Sequence, residues 1–364
     1  MTSTVAIIIL LGVLIFVHEV GHFLAAKYFR VGILKFSLGF GRKLIGKKIG
    51  ETEYVISLIP LGGYVKLLGE SEEEHLTEEE KGHSFAAQPV WKRAVIVFTG
   101  PFFNFLLAIL IFTFAYIWGV PVLTSEIGMV ASGSPAQEAG ISVGDVIVKI
   151  DGEGVTRWDQ VAKKIVESKG KPVKISIRRD GETKDLTVFP KIVKDHNIFG
   201  EEVETYKIGV GPAKKLLKER LNPFSALIKA TEQTWFITKM TMISIVKILE
   251  GVLSPRSLGG PILIAQMAGE QAKSGLLAFL LFMAVLSINL GVLNLLPVPV
   301  LDGGHLLFYL IEAIRRKDLS PKWKQRAHQI GFVLLVILMI FVMIMDIERL
   351  NNETINKATK FFTR

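Results

Sequence analysis

One glutamate flanked by two histidines, His18-Glu19-Val20-Gly21-His22, lies inside a run, Thr4–Ala26, that contains no lysine or arginine. On a helix, residues i and i+4 share a face. Two imidazoles at that spacing can grip one zinc ion, with the intervening glutamate placed as general base. A second group, Pro297-Val298-Pro299-Val300-Leu301-Asp302-Gly303-Gly304, ends the uncharged run Leu276–Leu301. A hydrolytic zinc site needs a third protein ligand and an open position for water. Asp302 fits that role. The two prolines break the helix before it, and the two glycines permit close backbone approach. His305 is a rival ligand, ranked lower because it lies further towards the cytoplasm, where it could instead support a ligand. Asn294, about two helical turns before Asp302, could hold a substrate backbone or an oxyanion. A helix–helix hydrogen bond is an equal reading of that amide.

HExxH alone is a modest signal, because a surface helix can carry it by chance. Here the context strengthens it: ionisable groups at bilayer depth are costly and mark function. The chemistry implied is hydrolysis inside a membrane. Zinc would acidify a water and polarise a carbonyl, and Glu19 would move the proton. Helical peptide bonds are shielded by their own hydrogen bonds, so the substrate would be a membrane helix that unwinds locally.

The elements that must position these residues are legible from composition. Half of the 364 residues are hydrophobic. Four segments are long and apolar enough to cross a bilayer, about Thr4–Ala26, Ala94–Val120, Leu276–Leu296 and Ala327–Met345. The first lacks the basic leading region of a cleavable signal peptide. Cysteine is absent, which excludes disulfides and thiolate zinc sites. The net charge of +9 does not indicate nucleic acid, since no basic recognition helix or base-stacking motif accompanies it. Much of the basic charge flanks apolar segments. By the positive-inside rule, residues 27–93 and 297–326 face the cytoplasm, while the N-terminus and 121–275 face outside. HExxH and Asp302 then lie at similar depth, near the cytoplasmic side.

Between the second and third spans, Glu126–Pro190 reads as an α/β module. Gly128-Met129-Val130 opens a strand, Ser134–Gly140 is a short helix closed by glycine, and Trp158–Ser168 has helical spacing. Lys174–Arg179 alternates as a strand, and Asp180-Gly181 turns it into Lys184–Phe189. The Pro-Ala…Ala-Gly…Gly-Asp-Val-Ile pattern resembles a bacterial PDZ domain, a module that adds an extended peptide to a sheet edge. Ile127, Gly128, Met129 and Val130 are the candidate edge. From Asn222 to about Gly251 an amphipathic helix is expected at the interface. Glu70–Lys81 reads as a solvated acidic loop flanked by surface residues His75 and His83.

The ordered combination of HExxH, the Asn294…Pro297-Val298-Pro299…Asp302-Gly303-Gly304-His305 group and an intervening PDZ-like region resembles the site-2 protease family of intramembrane zinc metalloproteases. Within that family it looks most like the bacterial regulator-of-sigma-E-protease branch. The resemblance spans nearly the whole chain. It implies His18, His22 and Asp302 as zinc ligands and Glu19 as catalytic base. It also implies regulated intramembrane proteolysis in the bacterial inner membrane, on single-span substrates such as anti-sigma factors or remnant signal peptides. The enteric members carry two tandem PDZ domains, whereas this chain has room for one.

A hairpin at about 31–68, with Gly62, Gly63 and Tyr64 near its end, resembles a family hairpin that dips into the membrane and can pair with unwound substrate; a cytoplasmic hairpin with no catalytic role is the other reading of the residues. The expected architecture is therefore a polytopic α-helical membrane protein with four transmembrane helices, a membrane-associated β-hairpin and one extracytoplasmic α/β PDZ domain. Its parts are spans one and two with the hairpin (1–120), the PDZ domain (121–212), amphipathic linker helices (213–275) and spans three and four (276–364). Two other functions compete: an inactive PDZ scaffold, disfavoured by the intact Glu19, and a zinc transporter, disfavoured by the scarcity of polar residues along the first two spans.

Overall fold

The computed structural model describes residues 3–70 and 76–362, with side chains described as far as Leu350 apart from Pro60, Leu61 and Glu79. His75 therefore lies outside the described residues. The chain divides into two compact units, one comprising residues up to Phe114, Leu227–Val246 and Ser254 onward, the other Ala115–Ala226 with Lys247–Leu253.

The first unit begins with α1 (Ser3–Tyr28), followed by strands β1 (Ile33–Ile49) and β2 (Thr52–Leu67), which form an antiparallel ribbon. Gly39 and Gly41, at φ +91° and +85°, let the ribbon bulge where its register shifts. Beyond the bulge Leu44, Ile45, Ile49, Ile56 and Leu58 are exposed among lysines. The supposed acidic loop is partly helical. α2 (Glu78–His83) starts at a reciprocal Thr77–Glu80 cap, a local bonding pattern that outweighs the run of like charge. His83 is exposed, with Nδ1 2.9 Å from the Arg30 carbonyl.

α3 (Val90–Trp118) contains Pro101, which has no N–H to give the Val97 carbonyl. α6 (Pro223–Leu249) carries the predicted amphipathic stretch, and α7 (Pro261–Ser274) follows it. α8 (Leu276–Asn294) stops short of Pro297, and a new helix, α9 (Asp302–Arg315), begins at the predicted metal ligand. The segment 297–326 that connects the third and fourth spans is about two-thirds helical, in α9 and the first turns of the helix that follows; α9 buries Phe308, Tyr309 and Glu312. α10 (Pro321–Phe362) closes the unit. Among the described residues four helices are long and apolar enough to cross a membrane: Ser3–Tyr28, Val90–Trp118, Leu276–Asn294 and Pro321–Leu350.

Buried polar groups fasten these helices. Asp346 of α10 accepts the backbone N–H groups of Gly260, Ile262 and Leu263 at 3.1, 2.9 and 3.1 Å, capping the start of α7. Glu312 of α9 pairs with Arg93 of α3 at 3.3 Å and with Lys324 of α10 at 2.6 Å. Ser287 of α8 donates to the Asn104 carbonyl of α3 at 2.7 Å.

The second unit is the α/β module. β3 (Val120–Leu123) pairs with β12 (Leu216–Glu219), and β4 (Ile127–Val130) pairs with β11 (Val210–Pro212). After α4 (Pro135–Glu138) comes an antiparallel sheet in the order β6 (Glu153–Gly154), β5 (Val146–Ile150), β7 (Val173–Arg179), β8 (Glu182–Val188). α5 (Trp158–Glu167) packs Val161 and Ile165 on it. Asp180 and Gly181, both at positive φ, make the tight β7–β8 turn. Val173, Ile175 and Ile177 alternate inward from β7 onto Ile127, Ile147 and Ile150. Each such side chain contributes about 1.5–3 kcal/mol on burial. A further hairpin, β9 (Lys191–His196) with β10 (Glu202–Lys207), was not legible in the sequence.

Candidate metal centre

α1 carries His18 and His22 on one face, one turn apart, as HExxH predicts. The position of that face is set by α3, which crosses very close. A Cβ on Gly21 would lie 2.4 Å from the Thr99 carbonyl oxygen, and one on Gly100 would lie 2.3 Å from His22 Nε2. The two glycines let the helix backbones meet at the histidines.

Asp302 arrives from the far end of the chain at the first turn of α9. Hydrogen bonds from Val298 to Leu296 and from Leu301 to Val298 tighten the turn that Pro297 and Pro299 begin. A Cβ on Gly303 would be 2.3 Å from the Leu295 and Leu296 oxygens, and one on Gly304 2.2 Å from the Val298 oxygen. The start of α9 is thus packed backbone to backbone against the preceding turn, which only glycine permits.

The outcome is a compact donor set. His18 Nε2 and His22 Nε2 are 3.1 Å apart, His18 Nε2 and Asp302 Oδ2 3.2 Å, and His22 Nε2 and Asp302 Oδ1 3.7 Å. Ligands at 2.0–2.1 Å from a tetrahedral ion are separated by roughly 3.4 Å, so these distances are edges of such a coordination shell. Two imidazole lone pairs facing each other also repel unless a proton or a cation lies between them. The residues present therefore fit a zinc ion, and two nitrogens with one carboxylate leave a fourth position open. His22 Nδ1 lies 2.9 Å from the Ile96 carbonyl. An N–H donated there leaves Nε2 free as a ligand.

Glu19 faces the same cavity of about 960 Å³ as the three donors, together with Tyr64. β2 passes directly over it: a Cβ on Gly63 would meet Glu19 Cγ at 3.2 Å. Gly62, at φ +133°, leaves no room for a Cβ beside the Phe40 ring, which stacks on Tyr64 with centroids 6.0 Å apart. Asn294 ends α8, half-buried, and is not among the residues lining this cavity. His305 does line it, with its ring 4.9 Å from that of His328. In the second unit, β4 is not a fully open edge. β11 pairs with it from Ile127 to Val130, and Ile127 also bonds Asp145 and Gly144 at 2.8 Å each. Of the four candidate edge residues, Gly128 and Met129 are exposed, Val130 is half-buried and Ile127 is buried.

Sequence reasoning missed Asn104, whose Nδ2 stands 3.2 Å from His18 Nδ1, and it missed Gly100. An amide in the middle of an uncharged span was the available signal.

The chain is similar to several known proteins. A protein of Rhizobium meliloti named as a zinc metalloprotease is 38% identical over 353 residues, covering 93% of this chain and 94% of its own length. The regulator of sigma-E protease RseP of Salmonella typhimurium is 33% identical, with 95% of this chain and 98% of that one covered. Among solved structures, the PDZ domain of the SdrC-like protein of Listeria innocua matches a quarter of this chain and 96% of its own, at 20% identity and a TM-score of 0.21. The profile of peptidase family M50 matches residues 6–338, a span that takes in both HExxH and Asp302, and the chain belongs to that family.

Proposed function

We propose that the protein is an intramembrane zinc endopeptidase that cuts the membrane-spanning segments of single-span proteins, of the anti-sigma-factor or remnant-signal-peptide type, in regulated intramembrane proteolysis. The observation that carries this reading is the convergence of His18, His22 and Asp302, from opposite ends of the chain, with Glu19 on one cavity beside an apolar helix. Kinship with a Salmonella protein named regulator of sigma-E protease supports the substrate class.

The imidazole Nε2 atoms of His18 and His22 and the Asp302 carboxylate would hold the metal. Zinc supplies a Lewis acid that activates water at neutral pH and polarises the scissile carbonyl. Glu19 takes one proton from the attacking water and delivers it to the leaving nitrogen as the C–N bond breaks. The products are one carboxyl and one amino terminus. Gly62, Gly63 and Tyr64 run alongside Glu19 and offer strand backbone to an unwound substrate, which loses its own helical hydrogen bonds on entering. Basic segments at 27–48 and 315–326 favour an active site near the cytoplasmic side of a bacterial inner membrane, with the N-terminus and the α/β module outside.

The test compares wild type with Glu19→Gln, both purified in detergent, for zinc content and for cleavage of a single-span substrate. Zinc in both and cleavage by wild type alone is the expected result. Zinc without cleavage in either favours a scaffold or transporter, and zinc in neither overturns the ligand assignment.

A further inference from the structure

Asn104 sits in the middle of α3, fully buried. Its backbone is held by the 2.7 Å bond from Ser287 of α8 to its carbonyl. Its side chain has one contact with the metal centre, 3.2 Å between Nδ2 and His18 Nδ1, while its Oδ1 is buried with no hydrogen-bond partner among the described residues.

A neutral imidazole has one N–H and one lone pair. An amide nitrogen pointing at Nδ1 would require the lone pair there and force the proton onto Nε2. That proton would aim at His22 Nε2 and Asp302, and His18 could not be a ligand through Nε2. The oxygen and nitrogen of an amide are exchanged by a half-turn about its terminal bond, and the choice between them follows from the hydrogen-bond network. No bond holds Oδ1 where it stands, so the half-turn is free to occur. It places Oδ1 where Nδ1–H of His18 can donate to it. His22 is served in the same way by the Ile96 carbonyl, 2.9 Å from its Nδ1. The two ligands of α1 would then each be oriented by an oxygen acceptor from α3.

We propose that Asn104 is a positioning residue whose side-chain oxygen accepts the Nδ1–H of His18 and so fixes the tautomer that presents Nε2 to the metal. The inference rests on the metal reading given above. It differs from a packing role in one respect: an acceptor must stand at this position, whereas shape alone is insufficient.

The experiment measures zinc affinity by chelator competition on the detergent-purified full chain, for wild type, Asn104→Leu and Asn104→Asp, with His18→Ala as the control for a lost ligand. Removing an acceptor of this kind weakens binding by about 10–100-fold, which is the loss expected of Asn104→Leu. Asn104→Asp, which keeps an acceptor of the same shape, is expected to bind within about threefold of wild type, by the same acceptor logic. Equal affinity in all three chains overturns the proposal and leaves the metal site standing. Loss of binding in Asn104→Asp as severe as in Asn104→Leu also overturns it, because a carboxylate is an acceptor. If wild type itself binds no zinc, or if His18→Ala binds as tightly as wild type, the metal reading fails first and the proposal falls with it.

Discussion

His18 Nε2 and Asp302 Oδ2 stand 3.2 Å apart, although one residue belongs to the first helix and the other to the ninth. Their closeness depends on three features of α9 and its approach: the Pro297–Pro299 break, the glycine packing at 303 and 304, and the burial of Phe308 and Glu312 that holds the helix down. If they share a zinc ion, Asp302→Ala removes one of three protein ligands. Zinc content after dialysis should then fall from about one per chain to nearly none, read by metal analysis. Retention of stoichiometric zinc would exclude Asp302 from the coordination shell.

Gly100 and Gly12 make a matched pair of substitutions. A Cβ at Gly100 would stand 2.3 Å from His22 Nε2, whereas at Gly12 nothing lies within 4 Å. Gly100→Ala should destabilise the chain by about 1–3 kcal/mol through overpacking and displace His22, lowering zinc content as well. Gly12→Ala should match or exceed wild-type stability, since alanine is the better helix former by about 1 kcal/mol. Thermal unfolding in detergent, run beside metal analysis, separates the two. Equal behaviour of the two variants would contradict the close α1–α3 crossing.

The carboxylate of Asp346 satisfies three N–H groups at the start of α7 from inside an apolar helix. Asp346→Ala leaves those donors unpaired in a buried place and should cost on the order of 2–4 kcal/mol. The loss should appear as protease sensitivity around 255–275. Asp346→Asn keeps an acceptor oxygen and should recover part of the stability. No change in either variant would mean that water or lipid headgroups serve these donors equally well.

Asp145 contributes to the acid stability of the α/β module. Burial pushes its pKa up, but the paired hydrogen bonds from Arg179 at 2.7 Å each, the Ser142 N–H and the positive charge of Arg179 outweigh it and hold the carboxyl below the usual aspartate value. A carboxyl depressed on folding stabilises the fold at pH above its unfolded pKa of about 3.9. That stabilisation is lost as pH falls through the lower folded value. Arg179→Ala should destabilise the module at neutral pH, the Ser142 bond remaining. The difference from wild type should shrink below about pH 4. Hydrogen exchange of β5 and β7 amides in the intact chain reads this, and a difference that stays constant with pH would rule the pair out as the source.

Much of this protein is written locally. The HExxH spacing, the four apolar runs, the alternation of Val173, Ile175 and Ile177 and the Asp180-Gly181 turn each depend on residues a few positions apart, so helix, strand and turn periodicities expose them directly. Asp302 was legible because Pro and Gly around a lone acid mark a broken helix. The contacts of Gly100 and Asn104 with the histidines were not. Nothing in α3's own pattern states which of its faces meets α1 or at which turn, because an all-round apolar helix in lipid has no amphipathic stripe to orient it. The same holds for α9, whose helical state comes from burial against distant segments, and for Asp346, whose partners lie at the start of another helix. Chain-local chemistry singled out the candidate ligands, and helix crossing, set by glycine contacts and buried polar pairs, decided what surrounds them.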